Sequence, residues 1–181
     1  NVGMALAINR THVNTFIGQG VTIDAPNASV LVSTDYTADA YVFTISFSAG
    51  GVAVGATLAL VVSLLDSYTY IGITPVGTPV DGSSAAVKGI IRAASISVVS
   101  DVANDVLILG LGVAGGAVAV NGIVALGFNF AIGYAAICGA NIEAANVSVS
   151  AILSGDTSVI CTSLVVGGVA VGATVALALI C

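Results

Sequence analysis

The phrase Gly51-Val52-Ala53-Val54-Gly55-Ala56-Thr57-Leu58-Ala59-Leu60 returns as Gly168-Val169-Ala170-Val171-Gly172-Ala173-Thr174-Val175-Ala176-Leu177, with Val175 for Leu58 as the only change. A relative of it, Val118-Ala119-Val120-Asn121-Gly122-Ile123-Val124-Ala125-Leu126, lies between the two. A chain that repeats itself this closely, without charge in the repeated phrase, is constrained to stack like units on like. Such a unit builds a wall or a rod more readily than an active site.

The copies set the organisation. Residues 52–71 align without a gap on 118–137, a spacing of 66 that also carries Asp35 onto Asp101 and Asp39 onto Asp105. Residues 1–18 align on 55–72, a spacing of 54. The difference is an insertion in the second unit near 74–84, where two Pro, two Gly and paired Ser predict a surface loop. Ile23-Asp24-Ala25-Pro26-Asn27-Ala28-Ser29-Val30 likewise matches Ile142-Glu143-Ala144-Ala145-Asn146-Val147-Ser148-Val149. The chain thus reads as one array with no domain boundary: a partial first repeat over 1–50, a second over 51–115, a third over 116–167 and the start of a fourth over 168–181.

Only 7% of the residues are charged, where about 25% is usual. Hydrophobic residues make up 57%, which excludes a disordered chain. With Arg10, Lys88 and Arg92 as the only cations and a net charge of −6, there is no footprint for nucleic acid or for anionic lipid. The chain opens at Asn1 without an initiator Met or a targeting signal, and so reads as a processed product or an excerpt of a longer array.

Periodicity selects strand over helix. Val52, Val54, Ala56, Leu58, Leu60 and Val62 share one face of an extended chain, and Ala53, Gly55, Thr57, Ala59 and Val61 mostly smaller ones the other. The run from Val118 to Ile132 repeats the arrangement, and Tyr41-Val42-Phe43-Thr44-Ile45-Ser46-Phe47-Ser48 places aromatics on one face. Large and small residues alternating at period two are a β signature. A 20-residue run would span roughly 66 Å, far beyond an ordinary strand. The expectation is therefore a bend at Gly55, Gly122, Gly127 or Asp66-Ser67, with two or three short-stranded coils per repeat. The predicted fold is all-β: a β-solenoid, parallel β-helix-like, of about three imperfect repeats of 50–66 residues, open at both ends, with the large face inside and the small face outward. A flat outward face of Ala, Gly, Ser and Thr would favour lateral bundling.

The alternative is an integral membrane protein, because the charge-free runs 40–65, 106–142 and 157–181 each exceed the roughly 18 residues of a spanning helix. Against it stand the period-two faces, the Gly-Gly pairs at 50–51, 115–116 and 167–168, and the lack of flanking Lys or Arg. A lipid-facing β-barrel is disfavoured because its strands alternate apolar with polar.

The phrase Gly-Gly-Val-Ala-Val-Gly-Ala-Thr, the alternating runs ending in Phe16-Ile17-Gly18 or Tyr70-Ile71-Gly72, and Val21-Thr22-Ile23-Asp24-Ala25 resemble the repeats of large bacterial filamentous adhesins. These are autotransporter or two-partner-secretion exoproteins, leukotoxin-like filamentous adhesins among them. The resemblance covers nearly the whole chain. It implies a β-helical stalk or fibre that is extracellular or on the cell surface. Residues 172–181 occupy the same repeat phase as 1–10, and head-to-tail stacking of such ends gives an open filament.

Chemical motifs are sparse. His12, beside Thr11, is the only histidine, so neither a two-His metal site nor a base-activated nucleophile is expected, and no catalytic residue is assigned. Asp35, Asp39, Asp101, Asp105 and Asp156 are read as solvated turn residues rather than a Ca²⁺ ladder, which needs six to eight oxygens. Gly110-Leu111-Gly112-Val113-Ala114-Gly115 matches a dinucleotide fingerprint by letter but lacks the βαβ context, so no cofactor is implied. Cys138, Cys161 and Cys181 fit small buried residues, or a Cys138–Cys161 bridge with Cys181 free or pairing between molecules. Asn9, Asn27 and Asn146 head glycosylation sequons, the last two in one repeat phase. The expected function is a structural or adhesive extracellular fibre that self-associates; a polysaccharide-acting solenoid enzyme lacks a carboxylate or basic cleft.

Overall fold

In the computed structural model, residues 1–73 and 88–181 are described, and the insertion expected near 74–84 lies outside them. Six strands follow in order: β1 (Val2–Gly18), β2 (Thr22–Ala49), β3 (Val52–Gly72), β4 (Gly89–Cys138), β5 (Ala140–Ser154) and β6 (Thr157–Ile180). Strands take up 93% of the described residues and no helix occurs among them, so the chain is all-β. No helix of the described residues is long and apolar enough to cross a membrane; the segments 40–65, 106–142 and 157–181 fall mostly in strands.

Every pairing is parallel: β1 with β3, β2 with β4, and β3, β5 and β6 with β4. The registers are the repeat spacings themselves. Val2 pairs Ala56, Ala56 pairs Gly122, and Gly122 pairs Ala173. Asp35 pairs Asp101, and Asp39 pairs Asp105. The like phrases lie in one stack, 52–60 on 118–126 on 169–177, because similar sequences offer similar side chains to their neighbours.

The sheet curls so that its two halves face each other. One wall holds β1, β3, β4 over 118–138 and β6 over 169–180; the other holds β2, β4 over 89–115, β5 and the start of β6. β4 belongs to both walls. Its buried positions are even-numbered from Ile96 to Ala114 and odd-numbered from Ala119 to Asn129. The parity changes at Gly115-Gly116, where the chain rounds a corner. Gly50 and Gly51 form the corner one level earlier, with Gly50 N–H donating to Gly115 O and Val118 N–H to Gly51 O, both at 3.1 Å. A Cβ on Gly116 would lie 2.0 Å from Gly50 O, and one on Gly167 would lie 2.2 Å from Gly116 O. Only glycine fits where corners stack this closely.

These corners correct the expected bends. Gly55, Gly122 and Gly127 lie inside unbroken strands, as does Asp66-Ser67, and each repeat makes one pass out and one pass back. Ordinary strands stop at about five or six residues. Here β2 runs for 28 residues, because β4 pairs with it on one side along nearly its whole length, with one shift between Ala25 and Ser29, and nothing but a corner ends it.

The faces are also the reverse of the expectation. The smaller face of the repeated phrase turns inward, alongside Leu65, Ile108 and Ile123: Ala59 and Val61 are fully buried, while Val54 and Leu6 remain 56% and 57% exposed. The physical reason lies in the polar members of the small face. Ser46 bonds to Thr57, Ser63 to Asn104 and Ser67 to Ser100, each pair joining one wall to the other. Small side chains let the walls approach until these groups meet. A backbone close approach marks the limit: a Cβ on Gly3 would come within 3.0 Å of Ile45 O. Apolar clusters alternate with the polar rungs along the interior, with Val32, Ile71, Ile91 and Val98 near one corner and Ala53, Ala114 and Ala119 near the Gly-Gly corner.

Candidate functional site

The interior polar groups form ladders. Thr69 Oγ1 donates to Thr34 Oγ1 at 2.7 Å, and Thr34 donates to Thr15 Oγ1 at 2.8 Å. Asn104 Nδ2 donates to Asn129 Oδ1, while Asn129 Nδ2 donates to Asn104 O at 2.6 Å and to Thr157 Oγ1 at 3.2 Å. Asn121 Nδ2 donates to Ser163 Oγ at 2.9 Å. Buried polar side chains are costly unless paired, and among the described residues only Thr44 Oγ1 and Asn121 Oδ1 lack a partner. Sequence reasoning missed these ladders. Their signal was present in Thr57, Ser63, Asn121 and Asn129, polar residues recurring on the small face.

The charged residues also stack. Arg92 pairs in register with Asp24 on one side and Glu143 on the other. Arg92 Nε donates to Glu143 Oε2 at 2.7 Å, and Nη2 to Oε1 at 3.4 Å. That hydrogen bond, reinforced by the opposite charge, holds the Glu143 carboxyl below its ordinary range and raises the Arg92 guanidinium. Asp35, Asp39, Asp101 and Asp105 stand within strands, not in the expected turns. Asp156 lies between β5 and β6, and its N–H donates to Asp105 Oδ1 at 2.9 Å. Among the described residues no group of three or more His, Cys, Asp or Glu is placed to hold a metal ion.

His12 is exposed and Thr11 half-buried on the opposite face of β1, so the two do not form a catalytic pair. The His12 ring contacts Asn14 Nδ2 through Nε2 at 2.9 Å and tilts against Tyr68 at 5.4 Å between centroids. Phe16 stacks on Tyr70 at 5.2 Å, and Tyr68 meets Tyr134 at 6.2 Å. Gly110 and Gly112 lie mid-strand in β4, facing inward. A Cβ on Gly112 would meet Asn121 Nδ2 at 2.1 Å, and one on Gly110 would meet Ile123 at 3.1 Å. Packing across the interior therefore accounts for the glycines of the dinucleotide-like phrase.

All three cysteines are free, so the Cys138–Cys161 bridge weighed as the alternative to small buried residues is not formed in this structure. Cys161 Sγ would lie 3.6 Å from a Cβ on Gly110, the same position that faces Ile123. Cys138 lies at the far end of the strand that contains Ile123, roughly 50 Å away along an extended chain. A disulfide requires Cα atoms within about 7 Å. Burial raises the Cys161 thiol. Asn27 and Asn146 are exposed and Asn9 is half-buried. Asn146 stacks through Ser95 on Ser29, not on Asn27, because β2 bulges between Ala25 and Ser29.

A cavity of about 220 Å³ opens beside the Asn104–Asn129 pair, lined also by Leu153, Gly155, Ile180 and Cys181. It marks the step where β6 ends over β4. The largest unusual surface is apolar. On the outward face of the first wall, Leu6, Leu60, Leu126 and Leu177 form one column, and Ile8, Val62, Phe128 and Leu179 the next. Tyr41, Phe43, Ile45 and Phe47, each more than half exposed, continue the apolar character on the second wall.

No protein-family model, no curated protein and no solved structure matches the chain.

Proposed function

We propose that the chain is a structural module of an extracellular or cell-surface fibre, a β-solenoid whose levels stack end to end within a giant repeat protein or between separate chains. The observation that carries this reading is the identity of register and repeat. Along the first wall each level offers the next similar residues in the same places, so adding a level needs little new chemistry. Residues 169–180 already lie on 118–129 as 118–129 lie on 52–63. Paired levels in register are the geometry of long-lived fibres, with each strand satisfied above and below.

The role is mechanical rather than catalytic. Rows of in-register backbone hydrogen bonds, interior hydroxyl and amide ladders, and glycine corners resist shear along the stack. The likeness of the repeated phrases to filamentous-adhesin repeats supports placement outside the cell. Fibre diffraction of aligned material provides the test. A meridional reflection near 4.8 Å, together with elongated particles in electron micrographs, is the expected outcome. Compact particles whose length does not grow when the 51–115 repeat is duplicated would sink the reading.

A further inference from the structure

Residues 2–9, 52–65, 118–132 and 169–181 contain no Asp, Glu, Lys or Arg. They form the apolar end of the first wall, and most of their bulky side chains point outward: Val54 is 56% exposed, Leu177 52% and Val171 53%. At about 3.3 Å per residue and 4.8 Å per level, this patch covers about 790 Å². Monomeric proteins rarely expose so large a contiguous apolar area, and it approaches the ~800 Å² that each partner contributes to a stable interface.

The patch has relief. Ala56, Gly122 and Ala173 stack in register as a column of small residues, closed at its β1 end by Val2. It lies between the column of Val54, Val120 and Val171 and that of Met4, Leu58, Val124 and Val175. A Cβ on Gly122 would meet nothing within 4 Å, so the groove is open there. Ridges and a groove at fixed spacing suit an equally rigid surface with the same spacing, and liquid acyl chains make no use of them. Residues 52–64 also span about 43 Å, beyond the ~30 Å hydrocarbon core of a bilayer.

We infer that this wall pairs face to face with the same wall of a second copy of the chain, a bulky column of each copy seating in the other's groove at Gly122. Such a contact is isologous and closes on itself. It does not depend on end-to-end growth, and the two ideas fail separately.

The test is sedimentation of the intact chain at tens of micromolar, where an interface of this size associates. The expected mass is twice the 17.6 kDa of one chain. Leu60→Lys combined with Leu126→Lys should weaken association at least tenfold, whereas Leu109→Lys on the other wall should not. Circular dichroism checks that each variant keeps its sheet. As a second measurement, in a chain whose own three cysteines are Ser, Gly122→Cys should be joined between copies by a short bis-maleimide, which spans the gap between packed sheets, and Ser97→Cys should not. A monomer throughout with no cross-link overturns the inference. So does transfer to phosphatidylcholine vesicles with loss of the dimer. Fibres only one chain wide overturn it while leaving the fibre reading intact; dimers without fibres do the opposite.

Discussion

Ser63 Oγ donates to Asn104 Oδ1 at 2.8 Å, reaching from the first wall of the curled sheet to the second. Asn104 passes the connection back to Asn129 on the first wall, one level further along. Ser63, Asn104 and Asn129 are all at most 2% exposed, so their partners cannot be replaced by bulk water. This chain of contacts fixes the spacing of the walls and the register of their levels together.

Asn104→Ala should destabilise the fold by about 2–4 kcal/mol, since it leaves both Ser63 and Asn129 with buried unpaired groups. Ser63→Ala removes one bond and should lose about 1–2 kcal/mol. Denaturant midpoints measured on the same preparation compare them. An Asn104→Ala midpoint equal to the parent's would show that the ladder carries no stability.

Gly167→Ala should be among the most damaging single-methyl additions, because the new carbon would lie 2.2 Å from Gly116 O. Backbone has to move to admit it, at about 1–3 kcal/mol or more. Gly122→Ala adds the same methyl group where nothing lies within 4 Å, and should change stability by less than about 0.5 kcal/mol. Thermal melts of the two variants give the comparison, and equal losses would rule out the stacked corner as the cause.

Acid should weaken the contact between Arg92 and Glu143. The Glu143 carboxyl is held below its ordinary value of 4.5 by the Arg92 hydrogen bond and charge. A depressed carboxyl contributes stability that is fully present above its unfolded value and is lost as pH falls through its folded one. Both groups are exposed, which keeps the effect small. Melting temperature should therefore fall more steeply below pH 4.5 in the parent than in Glu143→Gln. Parallel pH profiles would contradict this.

Thiol reactivity should follow burial. Cys181 is exposed, whereas Cys161 is half-buried and its thiol is raised by desolvation. The thiolate is the reactive form, so at pH 8 a maleimide or an aromatic disulfide should label Cys181 first and Cys161 slowly. Peptide masses after timed quenching read the order. Faster labelling at Cys161, or a mass deficit from a Cys138–Cys161 bridge, would contradict the free, half-buried geometry.

Much of the pairing was legible in the sequence. The spacings of 54 and 66 between like phrases are the registers of β1 on β3 and of β3 on β4. Period two identified the strands. It did not identify which face turns inward, because face size argues one way and polarity the other. The bulky face offers more apolar area, but the small face holds Thr57, Ser63, Asn121 and Asn129, which find partners only across a narrow gap. Strand length was misjudged for a related reason: Gly55 and Gly127 resemble strand breakers until the side chains opposite them are known. The match of Val30 to Val149 failed because residues 26–28 stand against Ala94 alone, and after that bulge Val30 stacks through Ile96 on Val147. Pro26, with no N–H to give to the ladder, suits that irregularity.

The stacked glycine corners have an evolutionary consequence. Since the Gly-Gly corners at 50–51, 115–116 and 167–168 are alike and the levels between them meet through similar residues, unequal recombination between copies can delete or duplicate a level with little disturbance to those that remain. Lineages carrying such an array are free to vary its reach in steps of one level, while selection on the corner glycines and the inward amides stays the same whatever the length.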